Sequence, residues 1–280
     1  MKVKIISDGS SDLPKEIIEL LGIEIVPLFV HFGTEQYSSS ELTAEQFYSK
    51  MKQADELPKT SSPSPYDFLK AYRNVPEGYD IVVIACSSGL SSTYNHAVMA
   101  KEMLIEEGYA GVIEVLDART TSLGLGLIAY QAAKMAQAGA GAMDIIRTAR
   151  QHIQDGATYF VLDTLENVIR GGRLDRVRGT VASMLNIKLL MRNSEEGKVE
   201  VIDKIRGSQN AIKKMMDKIG EARHDFGQAV VAIAHSNCEE KAKAVRDMLL
   251  QRYPFKDVVF GNMGPVIGTY AGEGAILIAH

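Results

Sequence analysis

Ile81-Val82-Val83-Ile84-Ala85 is apolar at every position, with no alternation of inward and outward residues. A strand of that kind belongs inside a parallel sheet covered by helices on both faces. Outward from it, strand-length apolar runs at Lys2 to Ile6, Ile23 to His31, Asp80 to Cys86 and Gly111 to Asp117 alternate with helical patterns. Those helices are expected over Lys15 to Leu21, Thr43 to Gln53, Pro65 to Arg73, Leu90 to Glu107 and Ser122 to Ala138. The alternation predicts an α/β fold on a mostly parallel sheet with flanking helices. A helix over Ala142 to Asp155 closes this half and Ala157 to Asp163 opens a new strand, so a boundary is expected near residue 157. The second half changes style. Ile187 to Met191 and Lys198 to Lys204 flank Asn193-Ser194-Glu195-Glu196-Gly197, an antiparallel hairpin signal. Helices at Ser208 to Arg223 and Glu239 to Arg252 alternate with strands at Gln228 to His235, Val258 to Phe260 and Ala275 to Ala279. Two α/β domains are therefore expected, 1–157 and a smaller mixed-sheet domain over 158–280, tightly packed.

With 280 residues, 46% apolar and 24% charged, the chain can bury a substantial core, which excludes a disordered or fibrous protein. A net charge of −4 argues against broad nucleic-acid binding. The sign is uneven: residues 1–157 carry 13 basic against 20 acidic residues, and residues 158–280 carry 18 against 15. Arg170, Arg173, Arg176 and Arg178 fall close together, a density that could grip a phosphate or an acidic partner or simply face solvent. Cys86 and Cys238 sit in apolar runs and read as free core thiols in a reducing compartment. Met1 leads into no apolar leader, and no later run approaches the ~18 residues of a membrane span. A cytoplasmic location without stable membrane insertion is expected.

Hydroxyl-rich turns follow several expected strands. The first strand exits through Ser7-Asp8-Gly9-Ser10-Ser11-Asp12, and the third through Ser87-Ser88-Gly89-Leu90-Ser91-Ser92-Thr93 ahead of a long helix. Ligands of open parallel sheets bind at the carboxyl ends of strands, where helix N-termini offer free N–H groups to anions. A helix N-cap alone would use one of Ser91 and Ser92. In Thr60-Ser61-Ser62-Pro63-Ser64-Pro65, Ser64 suits a cap and Pro65 the first helical turn, leaving Thr60 and Ser61 as spare donors. Four glycines between Gly264 and Gly274 suggest a tight loop or a close backbone approach to a ligand. A phosphate loop, a His-Glu-x-x-His zinc site and a nucleophile elbow are all missing from the sequence. Gly124-x-Gly126-x-x-Ala129 imitates a dinucleotide fingerprint but begins seven residues after Asp117, so close helix packing is the better reading.

Four segments together resemble the DegV family of bacterial fatty-acid-binding proteins. They are Thr60-Ser61-x-Pro63-Ser64, Ser87-Ser88-x-Leu90-Ser91-x-Thr93-Tyr94, Leu162-Asp163-Thr164-Leu165-Glu166 running on to Gly171-Gly172-Arg173, and Gly264-Pro265-Val266-Ile267-Gly268-Thr269. The resemblance implies a non-catalytic protein with no cofactor, whose ligand is a long-chain fatty acid buried between two domains. It assigns the carboxylate to Thr60, Ser61, Ser91, Ser92, Gly268, Thr269 and Tyr270, and leaves Arg170 and Arg173 for a partner or its phosphate. It also implies that some members present the acid to a separate kinase subunit. Tyr270 stands where the family usually has histidine, Glu273 where it has proline, and Ser92 where it has glycine. A tyrosine hydroxyl donates without the positive charge a histidine can carry, which bears on kinase coupling. The competing reading is a stand-alone phosphotransferase or hydrolase using Ser91 as nucleophile with the Arg170 to Arg178 cluster.

Overall fold

Residues 2–174 and 186–280 are described by a computed structural model of the chain. Up to residue 157 the elements are β1 (Lys2–Asp8), α1 (Lys15–Leu21), β2 (Glu24–Val26), β3 (Phe29–Phe32), β4 (Glu35–Ser38), α2 (Ala44–Gln53), β5 (Lys59–Ser61), α3 (Pro65–Arg73), β6 (Tyr79–Ala85), α4 (Thr93–Glu106), β7 (Ile113–Asp117), α5 (Leu123–Gln137) and α6 (Ala142–Asp155). Beyond it come β8 (Thr158–Val161), α7 (Glu166–Arg170), β9 (Ile187–Asn193), β10 (Val199–Arg206), α8 (Ser208–Ala222), β11 (Val230–His235), α9 (Glu239–Arg252), β12 (Asp257–Asn262), α10 (Pro265–Ala271) and β13 (Ile276–Ala279).

The fold is mixed α/β. β2, β1, β6 and β7 form, in that order, a wholly parallel sheet, and Ile81 to Ala85 of β6 are completely buried, as their two-sided apolar character requires. A second sheet orders its strands β10-β9-β8-β13-β11-β12, with β11 and β12 parallel and the other neighbours antiparallel. It contains the expected hairpin. Although the second half is the shorter, it holds the larger sheet. A small antiparallel sheet, β4-β3-β5, departs from expectation. The run from Ile23 to His31 is not one strand: Pro27, which has no N–H to give a ladder, separates β2 in the parallel sheet from β3 in the small one.

α5 joins the two larger sheets. It packs on β1 and β6 on one side and on β11, β12 and β13 on the other, so ten of its 15 residues are buried. A helix covered on opposite sides has to be apolar most of the way round. A Cβ on Gly124 would run into the Thr158 and Thr120 hydroxyls, and one on Gly126 would meet the Ser11 carbonyl. Close packing therefore accounts for the imitated fingerprint. One apolar core runs from Val82 and Ile84 through Leu123 and Leu125 to Leu189, Ala232 and Leu277, crossing the chain position where the boundary was expected. Cys86 and Cys238 are free thiols. No helix among the described residues is long and apolar enough to cross a membrane. Arg176 and Arg178 of the arginine cluster lie outside the described residues.

Candidate functional site

A cavity with about 900 Å³ of empty space, its open mouth included, lies where the parallel strands end against the six-stranded sheet. Ser10, Cys86, Thr120 and Thr121 enter it just beyond the carboxyl ends of β1, β6 and β7. This is where open parallel sheets hold ligands. The opposite wall is apolar, with Phe160, Leu162, Val199 and Leu277 from the second sheet, and α10 adds Val266, Ile267 and Ala271. Thr158, Phe160 and Leu162 line it at every second position along and just past β8. At a strand rise of ~3.3 Å per residue, that single row covers about 13 Å of wall.

The mouth is polar. Thr60 is opposite the fully buried Val30 in the β3–β5 ladder and therefore points inward. Its hydroxyl is 2.5 Å from that of Tyr270. The Arg173 guanidinium lies 4.8 Å from the centre of the Tyr270 ring, a cation–π distance. It is anchored by donating from Nε to the Leu90 carbonyl at 3.2 Å and from Nη1 to the Gly171 carbonyl at 2.7 Å. Ser91 completes the cluster, its hydroxyl 2.8 Å from that of Thr93 and accepting from the Thr93 N–H. Thr60, Ser91, Arg173 and Tyr270 line one cavity and give it hydroxyl donors around a cation, the chemistry that receives an anion. Arg173 thus belongs to the cavity itself rather than only to an external docking face.

Other expected residues face elsewhere. Ser61 follows Thr60 in an extended strand, so it points to the opposite face, where its hydroxyl meets His31 Nε2 at 2.9 Å. Ser92 pairs with Ser62 at 2.8 Å. Residues 265–271 form a helix rather than a loop: Pro265 occupies its first turn and Gly272, at φ +63°, ends it. Within α10 the backbone of Gly268 approaches α2, and a Cβ there would come within 2.7 Å of Phe47 and Tyr48. The Thr269 hydroxyl is turned back on its own helix, donating to the Pro265 carbonyl at 2.8 Å. Arg170 pairs with Glu166 at 3.0 Å and lines an outer groove with Lys59, Arg173 and Tyr270.

Asp12 fixes α10 in place. Its Oδ1 accepts from the Gly264 N–H at 2.8 Å at the head of that helix, and its Oδ2 accepts from the Ser122 hydroxyl at 2.6 Å. Loss of water around the carboxyl pushes its pKa up to about 7, against the opposing pull of those two hydrogen bonds. Asp8 is also raised by burial, while accepting from Ser10 and from the Cys86 N–H. Burial pushes the Cys86 thiol up to about 12, so it lines the cavity as a neutral group.

Comparison with known proteins agrees with this architecture. The DegV family model, described as "Uncharacterised protein, DegV family", matches residues 2–280. The chain is 32% identical over 282 residues to the protein DegV of Bacillus subtilis, covering 99% of this chain and 98% of that one. A DegV-family crystal structure from Ruminococcus gnavus, refined with vaccenic acid, is 30% identical and superposes with a TM-score of 0.92, covering 99% of each chain. A fatty-acid-binding DegV-family protein from Thermus thermophilus is 26% identical with a TM-score of 0.90, covering 100% of this chain and 99% of its own. With a family model matched over residues 2–280, a relative 32% identical over nearly the whole of both chains and a superposition covering 99% of each chain, the protein belongs to the DegV family.

Proposed function

We propose that the protein is a non-catalytic carrier of a long-chain fatty acid, with the carboxylate at Thr60, Ser91, Arg173 and Tyr270 and the chain along the apolar wall formed by β8 and α10. The observation that carries this reading is the pairing of a long apolar wall with a mouth where hydroxyls gather around the Arg173 guanidinium. Burying about fifteen chain carbons at ~0.8 kcal/mol each yields a gross transfer of roughly 12 kcal/mol. Association and ordering costs remove several of those and still leave tight binding. A hydrolase or phosphotransferase would need an activated Ser91, but that hydroxyl is engaged with Thr93, not with a base. The residues 1–157 and 158–280 are read as the two sides of the clamp. Presentation of the carboxylate to a separate kinase subunit is the finer reading: Lys59, Arg170 and Arg173 outnumber Glu56 around the outer groove and suit a phosphate-handling partner. Two free thiols are in keeping with the cytoplasm.

Native mass spectrometry tests the carrier reading. Freshly purified protein, or protein incubated with hexadecanoic acid, should carry one added mass of a long-chain fatty acid. Polypeptide mass alone in both samples would overturn it.

A further inference from the structure

A second cavity backs onto the first. It has about 820 Å³ of empty space, its opening included, and is lined by His152, Asp155, Arg223, Asp225 and His280 near the ends of α6 and α8. Thr120, Thr158 and Asn193 line both cavities. They make a polar partition: the two threonine hydroxyls are 2.9 Å apart, and Asn193 Oδ1 accepts from the Thr158 N–H at 2.8 Å. The partition stands away from the cationic mouth, because β8 runs from Thr158 toward Leu162 and α7, and α7 packs on the α10 helix that bears Tyr270. A methyl-ended chain gains nothing from meeting hydroxyls and an amide there, since those groups lose water without a hydrogen-bonding partner in return.

Behind the partition is His280, only 7% exposed. Among the described residues, its Nε2 is a buried side-chain polar atom with no hydrogen-bond partner. Arg223 Nε donates to Nδ1 at 3.3 Å, so Nδ1 is the acceptor. Burial, with the nearby Arg223 charge, pulls the His280 pKa down to about 4. The neutral ring therefore carries its proton on Nε2, as a donor awaiting an acceptor. Arg223 is itself matched by Asp225 at 3.0 Å, and Asp155 adds a further negative charge. An uncharged acceptor suits this balance better than an anion.

Resting on the fatty-acid reading, we propose that the second cavity is a polar annex to the chain tunnel. It takes the hydroxyl of an acyl chain oxygenated at or near its far end, such as an ω-hydroxy fatty acid. The hydroxyl oxygen accepts from His280 Nε2–H, and its proton is donated to the oxygen-bearing partition of Thr120, Thr158 and Asn193.

The test is displacement of a fluorescent fatty acid by saturated acids of increasing chain length and by their ω-hydroxy counterparts. In the wild-type protein at least one ω-hydroxy acid should bind within threefold of its parent or more tightly. His280→Phe should weaken that hydroxy acid at least tenfold relative to its parent, and His280→Gln, which keeps a donor, should restore much of the loss. If every ω-hydroxy acid binds tenfold or more weakly than its parent in the wild type, the annex is refuted without recourse to any variant. A hydroxy-to-parent ratio that His280→Phe leaves unchanged refutes it equally. Parent acids that bind normally in either case leave the carrier reading standing, whereas failure of both classes to bind overturns both.

Discussion

The mouth of the cavity and the partition at its far end are built from the same kind of side chain, yet they suit different chemistry. At the mouth, Thr60 and Tyr270 are hydrogen-bonded beside the guanidinium of Arg173. At the partition, Thr120 and Thr158 satisfy each other with an amide nearby, and the Arg223 that lines the cavity behind them is matched by Asp225. Hydroxyl groups alone do not select an anion. Selection follows from which of them share space with a fixed positive charge, because a hydrogen bond to a charged group is worth roughly twice one between neutral groups.

The largest expected effect concerns what holds the mouth together. The Asp12 pKa is raised from 3.8 to about 7 in the folded chain. Between those values the folded protein retains a proton that the unfolded chain has released, so stability falls as pH rises across the window from about 4 to about 7. Asp8 is raised as well and acts in the same direction. Asp12→Asn can still accept from Gly264 N–H and can donate to Ser122, as the protonated acid would. It should match the wild type near pH 4 and exceed it by about 2 to 4 kcal/mol near pH 8, because each tenfold change in proton affinity is worth ~1.4 kcal/mol. Urea unfolding across that range checks this, and parallel profiles for the two proteins would remove Asp12 as the titrating anchor of α10.

Next in size is the charge at the mouth. Arg173→Ala should weaken fatty-acid binding by about 1.5 to 3 kcal/mol, the range for a hydrogen bond to a charged group. The corresponding fatty alcohol should be affected far less. Equal losses for acid and alcohol in a displacement assay would mean that Arg173 supports the fold of the mouth but not the carboxylate.

Thr60→Val and Tyr270→Phe should each cost about 0.5 to 1.5 kcal/mol. Because the two hydroxyls bond to one another, the double variant should lose less than the sum. Strict additivity, measured by calorimetry, would separate them into independent contacts.

Smallest of all should be Ser61→Ala, which alters an exposed contact with His31 and should shift affinity by less than about 0.5 kcal/mol. A larger loss would reverse the assignment of faces in β5.

Thr60 and Ser61 also mark how far the sequence could be read. The apolar runs of β1, β6 and β7 and the hairpin of β9 and β10 are legible because burial on two faces, or a turn between two strands, leaves a pattern several residues long. β5 has three residues, two of them hydroxylated, and shows no apolar alternation from which facing could be inferred. Its facing comes from the pairing with β3, a long-range fact. α10 carried a readable signal that its glycines masked: Gly264-Pro265 at the start and Gly272 at the end are the ordinary marks of a short helix. Gly268 is glycine because α2 lies against it, not because a ligand does. Arg173 was legible as a charge but not as a neighbour of Tyr270, since that contact joins α10 to the segment after α7. Asp12 gives no local sign of its role, which depends on Ser122 and Gly264 far away in the chain.

The carrier account is tested most directly by a crystal structure with hexadecanoic acid bound. It predicts carboxylate oxygens within hydrogen-bond distance of Tyr270 or Thr60 beside Arg173, with the chain running along Leu162 and Phe160 toward Thr158. A chain bound the other way round, or a cavity that stays without ligand while the acid binds elsewhere, would contradict it.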